Sequence, residues 1–108
     1  MKIAVASSDG INVNLHFGKA FKFSIYEMEG NKPNFLETRE VEKNPDEKHQ
    51  WDKSLRIISD CEVVICVQVG IKARLGLKKA GIELLEDEGP VNEVLERYLK
   101  HQEFMASF

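Results

Sequence analysis

Cysteine is scarce in this chain: Cys61 and Cys66 are the only two among 108 residues. They carry no Cys-x-x-Cys spacing, which excludes a disulfide framework and a self-contained four-thiolate metal site. Read as lying on or near one strand, five positions apart, they project to opposite faces and cannot pair. Each is then either a small buried hydrophobe or a lone ligand. Long apolar runs are lacking too. The strongest, Val63 to Val69, is interrupted by Gln68 and falls well short of the roughly 20 residues that a membrane-spanning helix needs. At the N-terminus Lys2 leads straight into a strand-like segment without a small-residue cleavage site, so a cytoplasmic protein is expected. Positive charge is not in excess: 15 Lys and Arg against 18 Asp and Glu leave a formal net charge of -3. A general nucleic-acid binder needs clustered cations to displace counterions from phosphates, so neither nucleic acid nor membrane is expected as a partner. Repeats, low-complexity tracts and linkers are also missing, and residues 1–108 are expected to form a single domain around one core.

What is present describes a folded α/β protein, with 43% hydrophobic and 31% charged residues. Residues 2 to 7 read as a strand apolar on both faces, and therefore interior to its sheet. Phe21, Phe23 and Ile25 alternate with Lys22, Ser24 and Tyr26 as a second strand with one buried face. The turn from Glu29 to Pro33 returns the chain as a more polar third strand, Phe35 to Val41. Its charges Glu37, Arg39 and Glu40 suit a sheet edge. Asn44 as N-cap, Pro45 in the first turn and Glu47 three residues after the cap predict a helix start, and Trp51, Leu55 and Ile58 make its apolar stripe. Val63 to Val69 is a second interior strand ended by Gly70. A helix from about Lys72 to Ala80 is terminated by Gly81 in a left-handed conformation. Ile82 to Leu85 is a short strand, and Gly89-Pro90 opens a last helix with Val91, Val94, Leu95, Tyr98 and Leu99 on one face.

The order β-β-β-α-β-α-β-α requires helix-linked strands one, four and five to be parallel, with strand two antiparallel to strand one. A ribonuclease-H-like three-layer fold satisfies this, with a five-stranded mixed sheet in the order 3-2-1-4-5 and helices on both faces. A flavodoxin-like order needs helices between the early strands, and no helix signal precedes Asn44.

The residues with chemistry gather at the mouth of that sheet. Ser7-Ser8-Asp9-Gly10 follows the first strand and leads to His16-Phe17-Gly18, at the strand ends where open α/β sheets bind ligands. An imidazole there is either a polar surface residue or a ligand for iron, zinc or copper, and Gly18 lets a bulky ligand approach the backbone. Gly70 is either a plain strand-to-helix turn or the entrance to an anion site at a helix N-terminus, reinforced by Lys72 and Arg74. A small-anion or nucleotide-binding regulatory module is the alternative function on these residues. His49 is a secondary candidate near the first helix, and His101 is a structural residue at a helix C-terminus. Two-metal nuclease chemistry is disfavoured, because only Asp9 stands where several converging carboxylates are needed. Ser7, Ser8, Asp9 and His16 have no nucleophile-elbow context for a hydrolase either.

Several segments together resemble the dinitrogenase iron-molybdenum cofactor biosynthesis family. They are Lys2-Ile3-Ala4-Val5-Ala6 through Asp9; His16-Phe17-Gly18-Lys19-Ala20 with Phe23-Ser24-Ile25-Tyr26; Cys61-Glu62-Val63-Val64-Ile65 up to Gly70; and Leu77-Lys78-Lys79-Ala80-Gly81-Ile82. The resemblance implies a ribonuclease-H-like fold and a non-enzymatic carrier of an iron-sulfur or iron-molybdenum-type cluster, or its precursor, between donor and recipient proteins. It places the family's cofactor histidine at His16 as the metal ligand. With the loop and helix-start residues read above, the expected cofactor-binding set is His16, Phe17, Gly18, Asp9, Lys19, Gly70 and Lys72. A preformed cluster needs only one or two protein ligands and an electropositive rim, which Lys19, Lys22, Lys72 and Arg74 are placed to supply. The cysteine-rich catalytic domain of the family's radical enzymes is not in this chain, so cluster synthesis is not expected of it.

Overall fold

A computed structural model describes residues 1–44, 46–48 and 50–107. The elements are β1 (Lys2–Ala6), β2 (Asn12–Val13), a 3-10 turn (Phe17–Lys19), β3 (Lys22–Glu29), β4 (Lys32–Glu40) and α1 (Trp51–Ile57). They continue with β5 (Val63–Cys66), α2 (Ile71–Lys79), β6 (Glu83–Glu86), β7 (Gly89–Pro90) and α3 (Val91–Ala106). The main sheet runs β4-β3-β1-β5-β6. β3 is antiparallel to β1 and to β4, while β5 is parallel to β1 and to β6. Counting only the strands of the main sheet, this is the expected 3-2-1-4-5 order with an antiparallel second strand. Among the described residues no helix is long and apolar enough to cross a membrane.

Strand alternation divides the core between the two faces of this sheet. Ala4, Ala6, Val64 and Cys66 point to one face, where Phe17, Phe23, Ile58, Ala73 and Leu77 complete a cluster with the partly buried Trp51 and Leu55. Ile3, Val5, Val63 and Ile65 point to the other, under Val91, Val94, Leu95 and Tyr98 of α3. The stripe read on α3 is thus its buried face. Tyr98 brings a hydroxyl into that layer and donates it to Glu83 Oε2 at 3.1 Å, which removes the cost of burying it unpaired. α2 ends where Gly81 turns left-handed at φ +74°. There Gly81 N–H donates to Lys78 O at 3.1 Å and Ile82 N–H to Leu77 O at 3.0 Å, the paired bonds of a Schellman termination.

Besides the interior strand expected over Val63 to Val69, which ends at Cys66, four details depart from the sequence reading. The first helix begins at Trp51 and not at Asn44. Asn44 builds its own turn, accepting Asp46 N–H on Oδ1 at 3.0 Å and Glu47 N–H on its carbonyl at 3.0 Å. Gln50 then locks that turn, accepting Asn44 N–H and donating Nε2 to the carbonyls of Asn44 and Glu47. A residue that caps a helix equally suits a tight turn, and here the turn won. The assignment of Pro45 to a first helical turn lies outside the described residues. Phe21 precedes β3 and is 46% exposed, so it does not join Phe23 and Ile25 in the core. Cys61 lies in the loop before β5, and both thiols pack into the same cluster, free and buried. Pleat alternation does not apply across that loop. The fourth departure is the two-residue pairing of β2 with β7, which the sequence did not signal.

Candidate functional site

The C-terminal edge of β5 carries the site. Beyond Cys66 the chain leaves the ladder but keeps two backbone bonds to the approaching loop: Val67 N–H donates to Leu15 O at 3.0 Å, and Phe17 N–H donates to Gln68 O at 2.9 Å. These bonds hold His16 at the end of the strand. Phe17 anchors the turn from below, its ring fully buried and tilted against Phe23 with centroids 6.0 Å apart. The side chain of Phe17 is therefore a core group, whereas His16 on one side of it is exposed and Gly18 on the other is half-buried.

His16, Gly18, Lys19, Gln68, Val69 and Gly70 line a cavity of about 420 Å³. A neighbouring cavity of about 440 Å³ shares Gly18, Lys19 and Gly70 and adds Gln50, Trp51, Ile71, Lys72 and Ala73. Six of the seven proposed residues thus belong to one turn and one helix start. Asp9 does not. Its carboxylate faces its own loop, accepting Ile11 N–H at 2.8 Å, Asn12 N–H at 2.9 Å and the Ser7 hydroxyl at 3.2 Å. The backbone donors of Asn12 and Ile11 hold its carboxyl down at about 2. Asp9 shapes the loop and lines neither cavity.

Electrostatics at the helix start favour a negative ligand. Gly70 occupies the N-cap of α2 without a side-chain cap, and no acidic residue stands in the first turn. The first-turn N–H groups, which have no intrahelical partners, and the positive end of the helix dipole therefore lie beside the cavity that Gly70 lines. Lys19 and Lys72 add full charges to the lining. Arg74 contributes less than expected, because it is paired with Glu86, whose carboxyl it holds below the usual range. Glu86 also accepts Val69 N–H at 3.2 Å, which ties the β5–α2 connection to β6.

Neither thiol is poised to ligate. Burial pushes Cys66 up to about 12, with Glu86 adding to the shift, and burial pushes Cys61 up to about 11. The thiolate is the form that binds metal, so burial raises the cost of using either sulfur as a ligand. Among the described residues no group of three or more His, Cys, Asp and Glu side chains stands together to hold a metal ion. His49 lies outside the described residues.

Three contributors were not assigned to the site on sequence. Trp51 was read only as part of an apolar stripe, yet its ring lines the second cavity. Gln50 caps α1 and lines the same cavity. Lys43 reaches under the turn to the Gly18 carbonyl, a contact with no local sequence signature.

The sequence model for the dinitrogenase iron-molybdenum cofactor family matches residues 1–101. This chain belongs to that family. It is 33% identical over 91 residues to the FeMo cofactor biosynthesis protein NifB of Frankia alni, covering 78% of this chain and 18% of that protein. It is 26% identical over 106 residues to the protein NifX of Rhodobacter capsulatus, covering 90% of this chain and 67% of the relative. The chain thus spans under a fifth of that NifB and two thirds of that NifX. Among solved structures, PH0822 superposes with a TM-score of 0.77 at 25% identity, covering 94% of this chain and 90% of the other. A Methanocaldococcus jannaschii protein superposes with a TM-score of 0.67 at 16% identity, a likeness of fold.

Proposed function

We propose that this protein binds an iron-sulfur or iron-molybdenum-type cluster, or its precursor, as transient cargo and passes it between a donor and a recipient protein during metallocofactor assembly. The observation that carries the reading is the exposed His16 on the rim of a cavity that also receives Lys19 and borders the uncapped N-terminus of α2. An imidazole supplies one metal ligand, while the cations and helix dipole complement an anionic cluster. One protein ligand is too few for a permanent site and suits a cargo that must leave. Relatives named for cofactor biosynthesis support the same assignment. The similarity to NifX, a stand-alone relative of which this chain covers two thirds, favours a carrier over an enzyme. Its partners are the proteins that donate and accept the cluster, and a cytoplasmic setting follows from that exchange.

The test is anaerobic incubation of the full chain with a thiolate-capped cubane iron-sulfur cluster, followed by desalting, absorbance and iron analysis. Wild type is expected to retain iron, and His16→Ala to lose most of it with an unchanged melting temperature, because an exposed loop side chain contributes little to the core. Equal retention by the two proteins overturns the role of His16. Binding of ATP by wild type with no cluster uptake would favour the anion or nucleotide module at Gly70.

A further inference from the structure

The helix that borders the cavity has two apolar stripes, and the protein uses only one. Ala73 and Leu77 pack into the sheet cluster, while Ile71 and Leu75 stand outward at 80% and 54% exposure. Their i, i+4 spacing sets them one above the other on a single ridge. Around that ridge α2 carries Lys72, Arg74, Lys78 and Lys79 and no acidic residue. Arg74 is satisfied by Glu86, and no salt bridge within 4.0 Å engages the three lysines among the described residues. On a chain whose formal net charge is -3, this face is a local reversal of sign. It also abuts the site, since Ile71 and Lys72 are part of the cavity lining. Whatever covers the ridge therefore sits beside the cavity that adjoins the one lined by His16.

We propose that the outward face of α2, centred on Ile71 and Leu75 and ringed by Lys72, Lys78 and Lys79, docks a partner protein that presents an apolar patch bordered by carboxylates. Apolar residues at the centre with charges at the rim is the arrangement of a specific interface, where the centre supplies affinity and the rim steers association. A second copy of this chain is the poorer occupant, because two-fold packing of α2 against itself brings the same lysines face to face. The placement beside the cavity makes the partner the protein that exchanges cargo with it; that half of the inference rests on the proposed function, whereas docking itself does not.

A photoreactive benzophenone side chain placed at Leu75 in the full-length protein, and at the exposed Leu36 of β4 as control, captures what contacts each face in cells. The captured protein is then purified and titrated against wild type, Leu75→Glu and Lys72→Glu. Docking predicts a Leu75-specific partner whose affinity falls about tenfold or more in Leu75→Glu, as for a central hot spot, and declines with added salt in wild type. Leu75→Glu should still retain the cubane cluster, so loss of docking and loss of cargo binding are read separately. The inference is overturned by any of four results. These are no capture at Leu75 beyond the Leu36 control, a captured protein indifferent to Leu75→Glu, capture of a second copy, and binding of the helix face to vesicles of phosphatidylglycerol and phosphatidylcholine with no protein partner. If wild type takes up no cluster while docking persists, the cargo reading fails and the docking surface stands.

Discussion

Lys43 donates its ammonium to the Gly18 carbonyl at 2.6 Å, joining the segment after β4 to the turn that presents His16. The same group donates to Ser54 Oγ at 2.7 Å, and that hydroxyl donates to Phe17 O at 3.2 Å. One half-buried lysine therefore fixes the turn to α1. Burial, with Lys53 nearby, lowers its amine from 10.5 to about 8. Because the folded value is the lower one, the unfolded chain binds more protons between about 8 and 10.5, and stability from this group rises with pH across that window. Below it, the cost of holding the buried charge is at its full value. Denaturant melts at pH 7.5 and 9.5 should show a rise in wild type relative to Lys43→Met, whose stability lacks this component. Parallel pH dependence in the two proteins would show that the amine titrates normally.

Gly76 is where α1 and α2 meet. A Cβ built there would lie 2.6 Å from Cζ3 of Trp51, inside contact distance of a rigid ring. Gly76→Ala is expected to force the indole aside and to destabilise the fold by about 1–3 kcal/mol, the usual cost of overpacking. Trp51 is the sole tryptophan, so its emission spectrum reports the displacement directly. An unshifted spectrum and an unchanged denaturation midpoint would mean that the ring yields freely.

Asp9 should titrate well below an ordinary carboxyl. Its folded value of about 2 lies under the reference 3.8. The stability it contributes is complete above about 3.8 and is lost as pH falls towards 2. Carbon-detected NMR of the Asp9 carboxyl should give a midpoint near 2. Asp9→Asn should flatten the loss of stability over that interval while leaving cluster retention unchanged, since Asp9 lines neither cavity.

The two cysteines should be silent in the native protein. Burial holds Cys61 at about 11 and Cys66 at about 12, so little thiolate is present and reagent access is poor. An aromatic disulfide reagent at neutral pH should react slowly with the folded chain and promptly with two thiols after denaturation. Fast reaction of one native thiol would reveal a more open environment. Cys66→Ala should retain cluster as wild type does, with the stability loss expected of a small core truncation.

Local pattern along the chain was enough to lay out the sheet. Two interior runs, Ile3 to Ala6 and Val63 to Val69, had to be central because they are apolar on both faces, although only Val63–Cys66 of the second joined the ladder. The hairpin signal at Gly30 made β3 antiparallel to β4, while the helical segments on either side of the second run made β5 and β6 parallel. Gly81 marked its helix end because only a residue free of Cβ strain turns left-handed cheaply. His16 beside Gly18 stood out for the same local reason, an unusual side chain next to a permissive backbone.

Which of these local signals meet at the candidate site depends on contacts between distant segments. Asn44 carried a capping signal, but Gln50 offered its backbone a closed turn and the helix started later. Asp9 stands on the same loop as His16 and shares its candidate status in sequence. Only the fold showed its carboxylate facing inward on its own loop while two backbone bonds between 15–17 and 67–68 carried His16 to the rim. Trp51, Gln50 and Lys43 joined the site through contacts between elements that are far apart along the chain. Sequence periodicity records which face of an element is buried, and it is blind to which element lies opposite; the cavity, its cations and its clamp all belong to that second kind of information.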